Sequence, residues 1–376
     1  MKDTVFDIAV IGGGIAGAAA AANLAPHASL LVLERESQPG YHATGRSAAL
    51  FSEIYGNASI RALTRGSRAF LLAPPAGFAE SPLVSPRGAL YVANAGQLKA
   101  LDEFASLPDV AAGTRRVDAI EARALSPSLR DGYVAAGVYE PDAQDVDVHA
   151  LHQGYLRWLR ERGGKLVNSA GVTSLRHDDD AWTIGTHAGI FHARLVINAA
   201  GAWADEIAGL AAAVPIGIQP LRRTAFMIDA PAGSDSDRWP MTIDIDEQFY
   251  FKPDAGRLLL SPADETPSAP CDAMPEDLDI AIAVDHIEQA TTLSITHVRQ
   301  KWAGLRSFVA DRSPVIGYDP QVADFFWIAA LGGYGIQTAP AVGRLAAALV
   351  QRQPAPADLL ELGLDVGSVA PGRVLA

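Results

Sequence analysis

Residues 6–36 read FDIAVIGGGIAGAAAAANLAPHASLLVLERE, a stretch that leaves the N-terminus little choice of fold. An apolar run, a glycine turn, an alanine-rich run and a second apolar run make strand, helix and strand. Two strands joined through a helix run parallel, so a parallel sheet starts here. Gly12, Gly14 and Gly17 stand in GxGxxG spacing between the first strand and the helix. The first glycine permits the tight turn and the second lets backbone approach a pyrophosphate. The third packs helix closely on strand, and the helix N-terminus faces the phosphates. Glu34 ends the second strand, where a carboxylate accepts hydrogen bonds from ribose hydroxyls and disfavours the 2′-phosphate of NADP. The motif leaves NAD and FAD both open.

At 376 residues the chain has room for two domains. Its 49% apolar and 19% charged content suits a well-buried globule. A formal net charge of −13, with no basic stretch, argues against nucleic acid and anionic membrane as partners. The lone Cys271 excludes an intramolecular disulfide and suits a reducing compartment, so a cytoplasmic location is expected. The N-terminal apolar stretch lacks the basic region of a signal peptide, since Lys2 is followed by Asp3 and Asp7. No other segment has the unbroken apolar length of a transmembrane helix.

Along the chain, residues 57–73 read as a helix. From about 81 to 142 proline-punctuated, mixed sequence suggests departure from the first domain. Asp147 is placed to cap a helix from His149 to about Arg162, with Leu151, Tyr155 and Leu159 on one face and Gly163-Gly164 ending it. Short strands follow over 165–203, with the acidic run HDDD (177–180) as a hairpin turn. Residues 216–263 are again strand-like with PDAGR (253–257) as a turn, and a helix is expected near 276–292. FFWIAAL (325–331) is a buried strand. These patterns predict an α/β protein: a Rossmann-like dinucleotide-binding domain (1–80, 143–214 and 301–376) interleaved with an α+β substrate domain on an antiparallel sheet (81–142 and 215–300).

A second glycine cluster, GGYGIQT (332–338), stands before the last long helix. Together with YHATGRSAA (41–49), VHALHQGYLRW (148–158), NAAGAW (198–203) and WAGLRSFVAD (302–311), it resembles the FAD-dependent D-amino-acid oxidase and dehydrogenase superfamily. These stretches span most of the chain and within the superfamily are most similar to the D-arginine dehydrogenases. The resemblance implies FAD, expected to be non-covalent. Cofactor contacts are implied at Gly12, Gly14, Ala16, Gly17, Glu34 and Arg35 around the first loop. Others are implied at His42, Thr44, Arg46, Ser47 and Ala48, and at Val172 through its main chain. Ala200, Gly201 and Trp203 are implied as well, with Gly201 permitting a second close backbone approach. On the ring side stand Arg306, Gly333, Gly335, Ile336, Gln337 and Thr338. There the helix after GGYGIQT would turn its positive end toward charge developing on the reduced flavin. Pro340 is expected near the start of that helix, where a missing N–H costs nothing.

The resemblance further implies that Arg223, Tyr250 and Arg306 bind a substrate carboxylate, which suits arginine's planar fork. The carbonyl of Gly333 would accept from the amine, and Tyr55 would lie on a mobile covering loop. Arg222 is adjacent, and a register error of one would exchange it with Arg223. The implied reaction is hydride transfer from Cα of a D-amino acid to flavin N5, giving an imino acid that water hydrolyses. Specificity is expected from Leu50, Ser52, Ala89 and Ile336. Leu50 and Ala89 stand where the arginine enzymes carry a histidine and a glutamate, so preference should shift toward neutral or hydrophobic D-amino acids.

The same clamp would serve a 2-hydroxy acid, glycine or an N-methyl amino acid. A nicotinamide dehydrogenase or a non-catalytic dinucleotide-binding protein is the alternative of another class. The electron acceptor, quinone or O2, stays open. The nine histidines give no metal pattern: His149 and His152 are three apart on a helix without a third ligand. Neither GxSxG nor CxxC is present.

Overall fold

The computed structural model describes residues 4–178 and 180–375; Asp179, within the acidic run, lies outside them. Val5–Ile11 and Leu30–Leu33 run parallel on either side of helix Ile15–Leu24. The parallel sheet continues through Lys165–Val167, Gly189–Asn198 and Phe325–Ala329. Leu30–Leu33 is buried throughout because both sheet faces are covered. One face packs Val10, Ile197 and Phe326 against Ala21, Leu24 and Leu345 of the two helices that follow the glycine loops. The other packs Ala9, Leu31 and Trp327 with Trp182 and Ile207.

A nine-stranded sheet forms the second layer system, mostly antiparallel and covered on one face by helix Asp277–Ala290. Its hairpin at Asp254–Arg257 turns on Ala255 and Gly256, whose φ values of 49° and 75° suit a two-residue turn. Two features depart from the sequence expectation. Met241–Asp244 runs parallel to Ala89–Ala93, so the sheet is mixed. Residues 301–308, expected in the FAD-binding domain, belong to strand Gln300–Phe308, which pairs with Gln219–Asp229 in the second sheet. That long ladder carries the second sheet to the edge of the first.

A third, three-stranded sheet ties Leu50–Phe51 and Val84–Pro86 to Gln144–Val146. The expected helices form at Ala58–Leu72, Val148–Glu161 and Asp277–Ala290. The Asp147 carboxylate accepts from the Ala150 amide, capping the second of these. Pro340 requires a correction: it lies inside helix Gly335–Val350 rather than in its first turn. It removes the N–H that would reach Ile336, and the next amide, Ala341, donates instead to the Ser67 hydroxyl at 3.1 Å. No helix among the described residues is long and apolar enough to cross a membrane.

Candidate functional site

The N-terminal loop is held by three groups that its own glycines cannot supply. The Gly13 amide donates to Glu34 Oε2 at 2.8 Å, and Glu34 Oε1 accepts from the Glu36 amide at 2.9 Å. Burial pushes the Glu34 carboxyl above its ordinary range, against the lowering effect of these amides. The Ile15 amide donates to Thr44 Oγ1 at 3.0 Å. His152 Nε2 lies 2.7 Å from the Gly13 carbonyl, which only accepts, so Nε2 carries the proton; burial lowers the histidine's pKa and keeps the ring neutral. At Gly12, with φ 108°, an added Cβ would lie 2.4 Å from the Ala199 carbonyl. Gly17 packs its Cα against Gly12 and does not line the groove.

From this loop a groove of about 720 Å³ runs between the two large sheets. Its near wall includes Gly12, Gly14, Ala16, Glu34, Arg35, Val172, Ala200, Gly201 and Trp203. The Arg35 guanidinium sits 4.4 Å over the Trp203 ring, and His42 packs on that ring while bonding Glu36 at 2.9 Å. Thr44, Arg46, Ser47 and Ala48 line the middle. Arg46 Nη1 donates to the carbonyls of Ala273 and Ala303 at 2.9 and 2.8 Å, which ties this segment to the second sheet. Arg306, Gly333, Gly335 and Ile336 line the far end. Two helix N-termini thus open on one groove, each without a side-chain cap, and Gly14 precedes the first. Such a donor set, with an acid at the ribose position and a close backbone approach, fits a long dinucleotide such as FAD.

Beyond the groove is a small cavity of about 70 Å³ that shares Ser47, Ala48, Arg223, Tyr250, Arg306, Gly333 and Ile336 with it. The arginines meet for a reason of register. On paired antiparallel strands Arg223 opposes Gly304 and Leu221 opposes Arg306, so both side chains leave the same sheet face as diagonal neighbours. Arg222 therefore points to the other face, where it pairs with Glu276 and Asp279. Arg223 donates from Nε to the Asp264 carbonyl at 2.7 Å and from Nη2 to Glu265 at 3.3 Å. Arg306 Nη1 donates to the Tyr55 hydroxyl at 3.2 Å. Both glycines of the pair 332–333 make room here. A Cβ on Gly333 would lie 2.7 Å from the Arg306 guanidinium carbon, and one on Gly332 would lie 2.3 Å from the Phe308 ring.

Leu50, Ser52 and Tyr55 line the small cavity from the segment after the first loop. Besides Gly17, two expected residues reach neither space. Ala89 is wholly buried in the core of the second sheet between its strand partners Met241 and Glu140. Thr338 is wholly buried and its hydroxyl bonds the Tyr334 carbonyl at 2.8 Å. Gln337 lines the small cavity and not the groove, its side chain bridging the Ser52 amide and the Thr64 hydroxyl. In place of Ala89, the cavity takes Tyr91, Met241 and Ile243 from the second sheet, Ala263 from the loop after strand Arg257–Ser261, and Glu247 from a turn where its φ is 54°. Sequence gave no signal for these, since nothing local says which strand face meets a cavity. Behind the wall, Ser52 Oγ donates to Glu140 Oε2 at 2.6 Å and the Glu53 amide donates to Oε1 at 2.9 Å. Burial pushes the Glu140 carboxyl up to about 7. It also raises the Tyr91 phenol well above its ordinary value. Among the described residues no cluster of His, Cys, Asp and Glu could hold a metal ion.

A family model described as FAD dependent oxidoreductase matches residues 7–349. The glycine oxidase of Geobacillus kaustophilus is 24% identical over 375 residues, covering 96% of each chain. The N-methyl-L-tryptophan oxidase of Salmonella typhimurium is 25% identical, covering 91% of this chain and 94% of its own. Among solved structures, L-proline dehydrogenase from P. horikoshii superposes with a TM-score of 0.82 at 20% identity, over 99% of this chain and 98% of its own.

Proposed function

Because the chain belongs to the FAD dependent oxidoreductase family, we propose that it oxidises a D-amino acid to the imino acid, which water hydrolyses to a 2-oxo acid and ammonia. The observation that carries this reading is the diagonal pair Arg223 and Arg306, on one sheet face where the groove meets the small cavity. Two guanidinium groups at that junction bind one carboxylate and fix the α-carbon at the groove's far end. Tyr55 and Tyr250 add hydroxyls to the clamp, and the Gly333 carbonyl accepts from the amine. FAD, when bound, supplies the two-electron acceptor. The remaining catalytic work is orientation, with water excluded by Tyr55, whose ring packs on Tyr334 at 4.9 Å.

Leu50, Met241, Ile243, Ala263 and Ile336 give the cavity an apolar wall, which supports a neutral or hydrophobic side chain over that of D-arginine. The D-hand rests on the motif resemblance. The lone Cys271 supports a cytoplasmic setting. The cavity's size favours a second reading. About 70 Å³ is the liquid volume of roughly two waters, which suits glycine, a small N-methyl amino acid or a small 2-hydroxy acid. Similarity to the glycine oxidase supports the same reading.

An anaerobic screen with D-Leu, D-Met, D-Phe, D-Arg and their L-forms, glycine, sarcosine and lactate separates these readings by bleaching of the flavin. The first requires rapid bleaching by a neutral D-amino acid and a higher kcat/KM than for D-Arg. Bleaching by glycine or sarcosine alone would give the second, and a D-Arg preference would overturn the specificity. No bleaching by any compound would leave a non-catalytic dinucleotide-binding protein.

A further inference from the structure

Behind the wall of the small cavity lies a carboxylate that neither the groove nor the arginine pair uses. Glu140 ends strand Ala136–Glu140, directly across from Ala89. Cross-strand partners share a sheet face, so Glu140 stands on the face that also carries Tyr91. It is 3% exposed, and among the described residues it forms no ion pair. Its charged neighbours are Glu53 and Asp142. The nearby cation, Arg68, is engaged with those two, at 3.1 and 4.0 Å. Tyr91 faces it as a neutral phenol from the adjacent strand.

A buried carboxylate normally has a cation to hold its charge. Glu140 instead has the Ser52 hydroxyl at 2.6 Å and one backbone amide. A serine has one proton to donate, so with that proton on Glu140 the Ser52 oxygen offers the cavity only lone pairs. The neutral Tyr91 phenol engages one of them, and the other makes Ser52 Oγ an acceptor for an N–H. The Ser52 amide is held by Gln337, one helical turn beyond Gly333, and Ser52, Gln337 and Gly333 line the same small space.

We propose that Glu140, acting through the Ser52 hydroxyl, receives the proton that the substrate's ammonium group loses before oxidation. The step rests on the amine reading of the site and is acid–base only. One N–H bond of the ammonium breaks and its proton goes to Ser52 Oγ. The Ser52 hydroxyl proton goes to Glu140 Oε2, and nitrogen keeps the electron pair as a neutral amine. Ser52 touches the substrate; Glu140 is the positioning residue behind it. A carboxyl that titrates near neutrality, as burial makes this one do, is matched to such a transfer.

The test is the pH profile of kcat/KM for the best amine substrate, with a dye acceptor and FAD-loaded enzyme. Wild type should show an ascending limb with a midpoint near 7. Glu140→Gln and Ser52→Ala should lose that limb, with kcat/KM lower by about 100-fold above it. Ser52→Thr, which keeps the hydroxyl, should retain it. FAD content and melting temperature are measured on each variant. Persistence of the limb in Ser52→Ala or in folded Glu140→Gln overturns the relay, and the serine pair decides alone if Glu140→Gln does not fold. Failure of every amine to reduce wild-type enzyme, while a 2-hydroxy acid does, overturns the amine reading and the relay with it.

Discussion

At the N-terminal loop the groove is walled by backbone, and what matters there is that side chains are missing. Gly12 admits the Ala199 carbonyl where a Cβ would sit, the loop's amides are aimed by Glu34 and Thr44, and its Gly13 carbonyl is held by His152 of the neighbouring helix. The small cavity is the reverse. Its wall is made of side chains brought from the segment around Ser52, from the second sheet and from the start of the last long helix. Backbone walls tolerate truncation and fail on addition; side-chain walls tolerate little truncation. The difference explains why one region announces itself as a short motif and the other as scattered residues.

The largest expected effect is addition at the backbone wall. Gly12→Ala forces a left-handed φ on a residue with a Cβ and drives it into a carbonyl, at a cost above ~4 kcal/mol. The purified variant should lack flavin absorbance and melt well below wild type; a normally loaded variant would break the comparison.

Truncation in the side-chain wall should be next. Arg223→Ala removes one half of the proposed carboxylate clamp and should cost about 2–5 kcal/mol in kcat/KM, roughly 30-fold to several thousand-fold, with FAD content retained. Equal loss of FAD would mean that the two regions are not separable.

The smallest effect concerns stability and sharpens the picture of the buried acid. The folded pKa of Glu140 is raised from 4.5 to about 7, so the fold favours the protonated form. Stability should be full below the ordinary value and fall as pH rises through 7, by on the order of 3 kcal/mol. Urea unfolding at pH 5 and pH 8 measures this slope, and Glu140→Gln should flatten it. A slope unchanged in the variant would assign it to another group.

Sequence alone determined the opening strand–helix–strand unit, its glycine loop with Glu34, and the helix capped by Asp147 and ended before Gly163. These depend on contacts within a few residues or on a period that survives in one segment. Most of the cofactor positions implied by the resemblance line the groove, because the motifs that carry the resemblance are those that lie against it. Tertiary structure decided the rest. Whether Arg222 or Arg223 faces the cavity depends on which residue opposes Gly304. Ala89 looked like a pocket position and is core, since its strand is covered by Met241 and Glu140 on either side. Thr338 turned its hydroxyl into its own helix, and Pro340 found its compensation in Ser67, far away in sequence. The second glycine cluster is explained only by Arg306 and Phe308, carried on a strand of the other sheet. Face and register come from pairing between distant strands, and a one-residue shift reverses every assignment that rests on them.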